Sequence, residues 1–153
     1  MAKKNHQTKR ITNRRASFDY ELGDSLIVGI ELTGAETKSL RMGHGQLRGA
    51  YVTIKDSELY LINATITGDN GILIADQDKT RARKLLAKRK QIDALIQDKQ
   101  QGSTIVPTEL LTNGRYIKLR IALGKGKKHY DKRQSIKQKD AKRQADIATK
   151  YSE

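Results

Sequence analysis

Between residues 25 and 32 the chain reads SLIVGIEL, with Leu26, Val28, Ile30 and Leu32 at a period of two. Ser25, Ile27, Gly29 and Glu31 fall between them. Such alternation suits one face of a sheet and no face of a helix, so the segment is expected to be a half-buried strand. AYVTI (50–54) and LYLINATI (59–66) flank KDSE, whose composition suits a hairpin turn. GILIA (71–75) reads as a short buried strand. In TELLTNGRYIKLRIAL, Asn113–Gly114 separates two strand-like runs, a strong local hairpin signal. Beyond that turn Ile117, Leu119, Ile121 and Leu123 face one way, Lys118 and Arg120 the other. Pro107, the only proline, is expected to end or edge the strand before it.

Two helical segments interrupt the strands. In TGAETKSLR, Thr33 and Glu36 have the spacing of a capping box, and Lys38 and Arg41 lie near the far end, where the helix dipole favours cations. A longer helix is expected within 78–100, with Leu85, Ile92, Leu95 and Ile96 as its buried stripe and a break near 87. Gly102 would end it. Short strands with two or three helices point to a mainly β fold, a small closed antiparallel barrel of the OB type. Closure would hide the strand edges that a small sheet exposes.

The charge lies mostly outside that core. The chain has 153 residues and a formal net charge of +14. Residues 1–20 supply +5 of this, 124–153 supply +6, and the middle only +3. So large an excess repels itself, and a polyanionic partner relieves it. The expected organisation is a basic arm (1–12), the barrel (13–123) and a basic tail (124–153). The tail cannot support a core, so it is expected to be disordered when free. It is rich in Lys, Gln, Ala and Arg, which favour helix once a polyanion supports them. The chain contains no cysteine and no run of about 20 apolar residues. A cytoplasmic, monomeric protein away from membranes is expected.

No catalytic constellation assembles. His6, His44 and His129 are far apart and none pairs at metal-ligand spacing. Glu31 and Glu36 are explained by a cap and a solvated face. GKGKK (124–128) lacks the Lys-Ser/Thr of a phosphate loop. The chain is therefore expected not to be an enzyme and to need no cofactor or metal. Basic stretches instead repeat: 13–15, with Arg14 and Arg15 beside Asn13; 81–84, with Arg81, Arg83 and Lys84; 118–120, with Lys118 and Arg120; and 125–128, with Lys125, Lys127 and Lys128; Lys38 is a further candidate contact. Aromatics are scarce, which disfavours a surface that stacks a run of single-stranded bases. A folded RNA read through its phosphates and 2′-hydroxyls fits better. A general RNA chaperone or a ribosomal protein with a basic extension is the alternative.

NRRASFDY (13–20), GAETKSLR (34–41), TRARKLL (80–86), TIVPTELLTNGRYIKLRIALGKGKKHYDKR (104–133) and SIKQKD (135–140) together resemble, in order and spacing, the SsrA-binding protein family, also called small protein B. The resemblance covers nearly the whole chain. It implies an OB-like barrel that binds the tRNA-like domain of transfer-messenger RNA and delivers it to stalled ribosomes for trans-translation. It further implies that Asn13, Leu85, Lys118 and Arg120 hold that domain. Tyr130, Asp131, Lys132 and Arg133 would lie near the small-subunit rRNA of the decoding centre. Ile136, Lys137 and Lys139 would belong to a helix in the empty mRNA channel. Three positions depart from the family pattern: Ile27 stands where a glutamate is common, Thr37 where a branched aliphatic is usual, and Ala141 where an aromatic often follows.

Overall fold

The computed structural model describes residues 10–69, 71–126, 133 and 136–145. Between residues 10 and 126 they form nine strands, three α-helices and a short 3-10 helix (Asp76–Asp78), and residues 136–145 add a helix in the tail. They run β1 (Ile11–Thr12), α1 (Ala16–Asp19), β2 (Tyr20–Ile30), α2 (Gly34–Arg41), β3 (Gly45–Gln46), β4 (Tyr51–Lys55), β5 (Glu58–Ile62), β6 (Thr65–Ile66), β7 (Arg83–Leu86), α3 (Arg89–Gln100), β8 (Thr104–Leu111) and β9 (Lys118–Gly126). Seven strands form one antiparallel sheet in the order β1-β8-β9-β2-β7-β5-β4, and β3 pairs separately with β6.

The alternating segments become strands as expected. Val28 and Ile30 of β2, Leu59 and Leu61 of β5, and Leu119 and Ile121 of β9 all point into one core with Leu40, Leu47, Ile66 and Ile105. KDSE forms the β4–β5 turn, with Asp56 and Ser57 both at positive φ. That geometry marks a two-residue turn of the I′ kind, which matches strand twist. The capping box of α2 is complete: Thr33 Oγ1 accepts from the Glu36 N–H, and Glu36 Oε1 accepts from the Thr33 N–H at 3.0 Å. Gly102, at φ 96°, follows α3 where a left-handed residue ends a helix.

Five expectations need correction. The sheet does not close: among the described residues no ladder joins β4, at one end of the order, to β1 or β8. A cleft of about 440 Å³ lies there instead, lined by Val52 and Thr53 of β4 and Thr104 and Val106 of β8. β1 is only two residues long and pairs with Glu109 and Leu110, so among the described residues the first half of β8 has no strand partner on that side. Pro107 does not end a strand; it sits within β8 at a bulge, where a missing N–H costs the ladder little.

GILIA is not a strand. Asp69 and Ile72 make one isolated bridge, Ile72 is buried, and Leu73 stands 93% exposed. The segment joins neither β5 nor the open edge at β4. Leu85 is not on a helix either. Residues 83–86 form β7, with Arg83 and Leu85 turned inward at period two, and the helix starts only at Arg89. Lys88 remains extended, and its N–H donates to Gln91 Oε1 at 3.0 Å.

The tail also differs from expectation within its described part. Residues 136–145 are helical and every one is exposed. Helix-favouring Lys, Gln, Ala and Arg account for this, and Asp140 stands three residues from both Lys137 and Arg143, a spacing that supports an isolated helix. Lys127, Lys128, Tyr130, Asp131 and Lys132 lie outside the described residues, as do residues 1–9 and 146–153.

Candidate nucleic-acid interface

Strand register assembles the outward face of the large sheet. Glu109 pairs with Arg120, which pairs with Ile27. One step along, Leu111 pairs with Lys118, Lys118 with Gly29, and Gly29 with Leu86. Beyond that, Lys84 pairs with Tyr60. Because side chains two apart share a face, these rows form one surface. Lys118 and Arg120 therefore point outward, as their alternation predicted. Between them and Lys84 lie two exposed apolar side chains, Ile27 (46% exposed) and Leu86 (52%). Gly29 leaves room beside Leu86: a Cβ there would stand 3.2 Å from the Leu86 Cβ, tighter than ordinary contact.

Glu109 organises one end of this face. Nearly buried, it accepts from Arg120 Nη1 at 3.1 Å and from Arg10 Nε at 3.0 Å. One carboxylate thus orients two arginines while leaving both partly exposed. Arg10 also opens onto a second basic group. With Arg14, Arg15 and Arg48 it lines a cleft of about 690 Å³ beside β1 and the turn after α2. Arg15 lies over the Phe18 ring, 5.0 Å from its centroid, and reaches Asp19 at 3.6 Å.

Asn13 stands behind this cleft. Its backbone N–H donates to the Thr108 carbonyl at 2.8 Å, and its Nδ2 donates to the Pro107 carbonyl at 3.0 Å. Its own carbonyl accepts from the Ala16 N–H at 3.1 Å. Asn13 therefore carries the β1–β8 pairing past the bulge and starts α1, while its buried Oδ1 has no hydrogen-bond partner among the described residues.

Two expected contact residues are not surface groups. Arg83 is 0% exposed, and all five of its N–H donors are engaged. Nε meets Glu36, Nη1 meets the carbonyls of Ala64 and Arg81, and Nη2 meets those of Asp78 and Lys79. Leu85 is fully buried in the core, and its neighbour Leu86 holds the outward position. Arg81 is half-committed, with Nη2 on Glu36. The remaining predicted cations among the described residues, Arg14, Arg15, Lys38, Lys118 and Lys125, are exposed, with Lys84 and Arg120 half-buried. Arg133, Ile136, Lys137 and Lys139 are exposed, the last three on the tail helix.

Glu36 is a buried charge centre as well as a cap. Burial alone would raise its pKa. The hydrogen bonds from Arg81, the Thr33 N–H and Arg83 outweigh that and hold it below the ordinary carboxylate value. Burial lowers the pKa of Arg83, opposed by Glu36. Sequence reading missed this pairing, although counting back by two from Leu85 turns Arg83 inward. Arg10, Arg48, Leu86 and Glu109 were also missed; only Leu86 had a signal in the same count.

Among the described residues no group of three or more His, Asp or Glu could hold a metal, and no helix is long and apolar enough to cross a membrane. A family model described as SmpB protein matches residues 10–151. The chain belongs to the SmpB family. Two relatives similar to this SmpB-family chain are both named SsrA-binding protein. That from Macrococcus caseolyticus is 44% identical over 139 residues, covering 90% of this chain and 91% of its own. That from Oenococcus oeni is 43% identical over 146 residues, covering 94% of each. A solved chain described as "tmRNA-SmpB: a journey to the center of the bacterial ribosome" is 38% identical, with a TM-score of 0.64, over 78% of this chain and 85% of that one.

Proposed function

We propose that this chain is a non-catalytic RNA-binding protein that holds the tRNA-like domain of transfer-messenger RNA and delivers it to stalled ribosomes for trans-translation. The observation that carries the reading is the outward sheet face. Lys118, Arg120 and Lys84 frame the exposed Ile27 and Leu86, and Glu109 ties that face to the arginine cleft. Cations on either side of an apolar strip suit an RNA gripped by its phosphates while a sugar or base edge rests between them. The names of the relatives and of the solved chain agree with this reading.

The division of labour follows from the charge. Residues 13–123 form the RNA-binding unit, with 1–12 as a basic arm. The tail, 124–153, engages the small-subunit rRNA near the decoding centre through Tyr130, Asp131, Lys132 and Arg133. Ile136, Lys137 and Lys139 on its helix occupy the empty mRNA channel. A helix of about 20 residues is about 30 Å long, enough to probe such a channel. The protein works as a cytoplasmic monomer without cofactor. Where the family commonly has a glutamate, Ile27 faces outward beside Arg120, so that contact is apolar here.

Competition tests the reading. Transfer-messenger RNA is expected to displace labelled tRNA and duplex RNA at far lower concentration than the reverse. Equal affinity for all three would support a general RNA chaperone or ribosomal protein instead.

A further inference from the structure

The loop 112–117 between β8 and β9 belongs to neither basic group. It contains Asn113–Gly114 but is six residues long, well beyond a two-residue hairpin turn. Arg41, the last residue of α2, reaches across to it. Its Nη1 donates to the Thr112 carbonyl and its Nη2 to the Arg115 carbonyl, each at 2.9 Å. Thr112 and Ile117 are buried, so both stems and the middle of the loop are fixed. Between these ties Tyr116 stands 69% exposed. Arg115 lies over its ring, 5.6 Å from the centroid, so one face carries a cation while the side chain as a whole remains largely exposed. Lys118 follows on the outward sheet face, and Lys38 lies one turn before Arg41 on α2, both exposed.

We propose that Tyr116 is a stacking ledge for one unpaired nucleobase of the bound RNA, and that Arg41 is the residue that positions it. This rests on the RNA-binding reading and adds a site to it. A tyrosine on a loose loop would fold onto apolar surface; here the backbone is held so that the ring stands out. Every base has a π face, so one aromatic accepts whichever unstacked base a folded RNA presents there. Arg115 and Lys118 lie on either side in sequence and can take the phosphates flanking such a base. A single ledge also suits a chain too poor in aromatics to stack a run of bases.

The test measures binding of the full chain to transfer-messenger RNA across a salt series. Tyr116→Ala is expected to weaken binding about tenfold, within the usual range for losing one base stack. The slope of log K against log salt should stay unchanged, because no phosphate contact is lost. Tyr116→Phe should restore affinity. Arg41→Ala should weaken binding and add little when combined with Tyr116→Ala. Wild-type affinity in Tyr116→Ala, a shallower salt slope, or failure of Phe to restore binding would overturn the ledge and leave the RNA-binding reading standing. Failure of the wild-type chain to bind the RNA would overturn both.

Discussion

Arg83 Nε donates to Glu36 Oε2 at 2.5 Å, and both side chains are buried. Glu36 caps α2, and Arg83 starts β7 while gathering the carbonyls of the chain before it. The pair thus joins a helix start to a central strand. A cationic motif residue that reads as an RNA contact is a fold-holding group.

Removing one partner should therefore unfold before it unbinds. Glu36→Ala or Arg83→Ala leaves a buried charge without its partner, at a cost of about 3–5 kcal/mol. Chemical denaturation should show that loss, whereas Lys118→Ala, on the exposed sheet face, should change stability little. The pair also sets a pH dependence. The folded-state pKa of Glu36 is depressed, so its stabilisation is present above its ordinary value of 4.5 and fades as pH falls through the folded value. Acid titration of the unfolding midpoint should show a loss in that window that is smaller in Glu36→Gln.

Leu85 and Leu86 separate core from surface at adjacent positions. Leu85→Ala empties a fully buried site and should cost about 2–5 kcal/mol. Leu86→Ala should leave the melting temperature nearly unchanged and weaken RNA binding. Equal effects on stability would place both leucines in the core.

Charge reversal on the sheet face has a different signature. Lys118→Glu and Arg120→Glu should each weaken RNA binding, and each neutralised contact should reduce the magnitude of the salt slope by about 0.7–0.9. Arg120→Glu should cost more, because it also sets a carboxylate against Glu109. A salt titration that leaves the slope unchanged would remove these residues from the interface.

What the sequence made legible follows its periodicities. β2, β5 and β9 alternate cleanly because each has one face on the core and one in solvent. The α2 capping box was visible as spacing alone. The stretch around 80–100 was misread because Leu85 and Ile92 are seven residues apart and fit a helical stripe, while the strand preceding that helix is only four residues long. GILIA carries strand-like residues, but strand pairing depends on where distant strands lie, and only one isolated bridge forms here. Barrel closure failed for a similar reason: nothing local says that β1 stops after two residues. For the site, counting by two placed Lys118, Arg120 and Ile27 outward. Composition could not tell the buried Arg83 from the half-exposed Arg81, since both are held by a glutamate 45 or more residues away.

The separation of grip from probe is tested most directly by removing residues 131–153 and measuring two things on the same protein: affinity for transfer-messenger RNA, and peptide tagging on stalled ribosomes. The truncated chain should bind the RNA nearly as tightly as the full chain and support no tagging. Loss of RNA binding along with the tail, or tagging that survives without it, would contradict that separation.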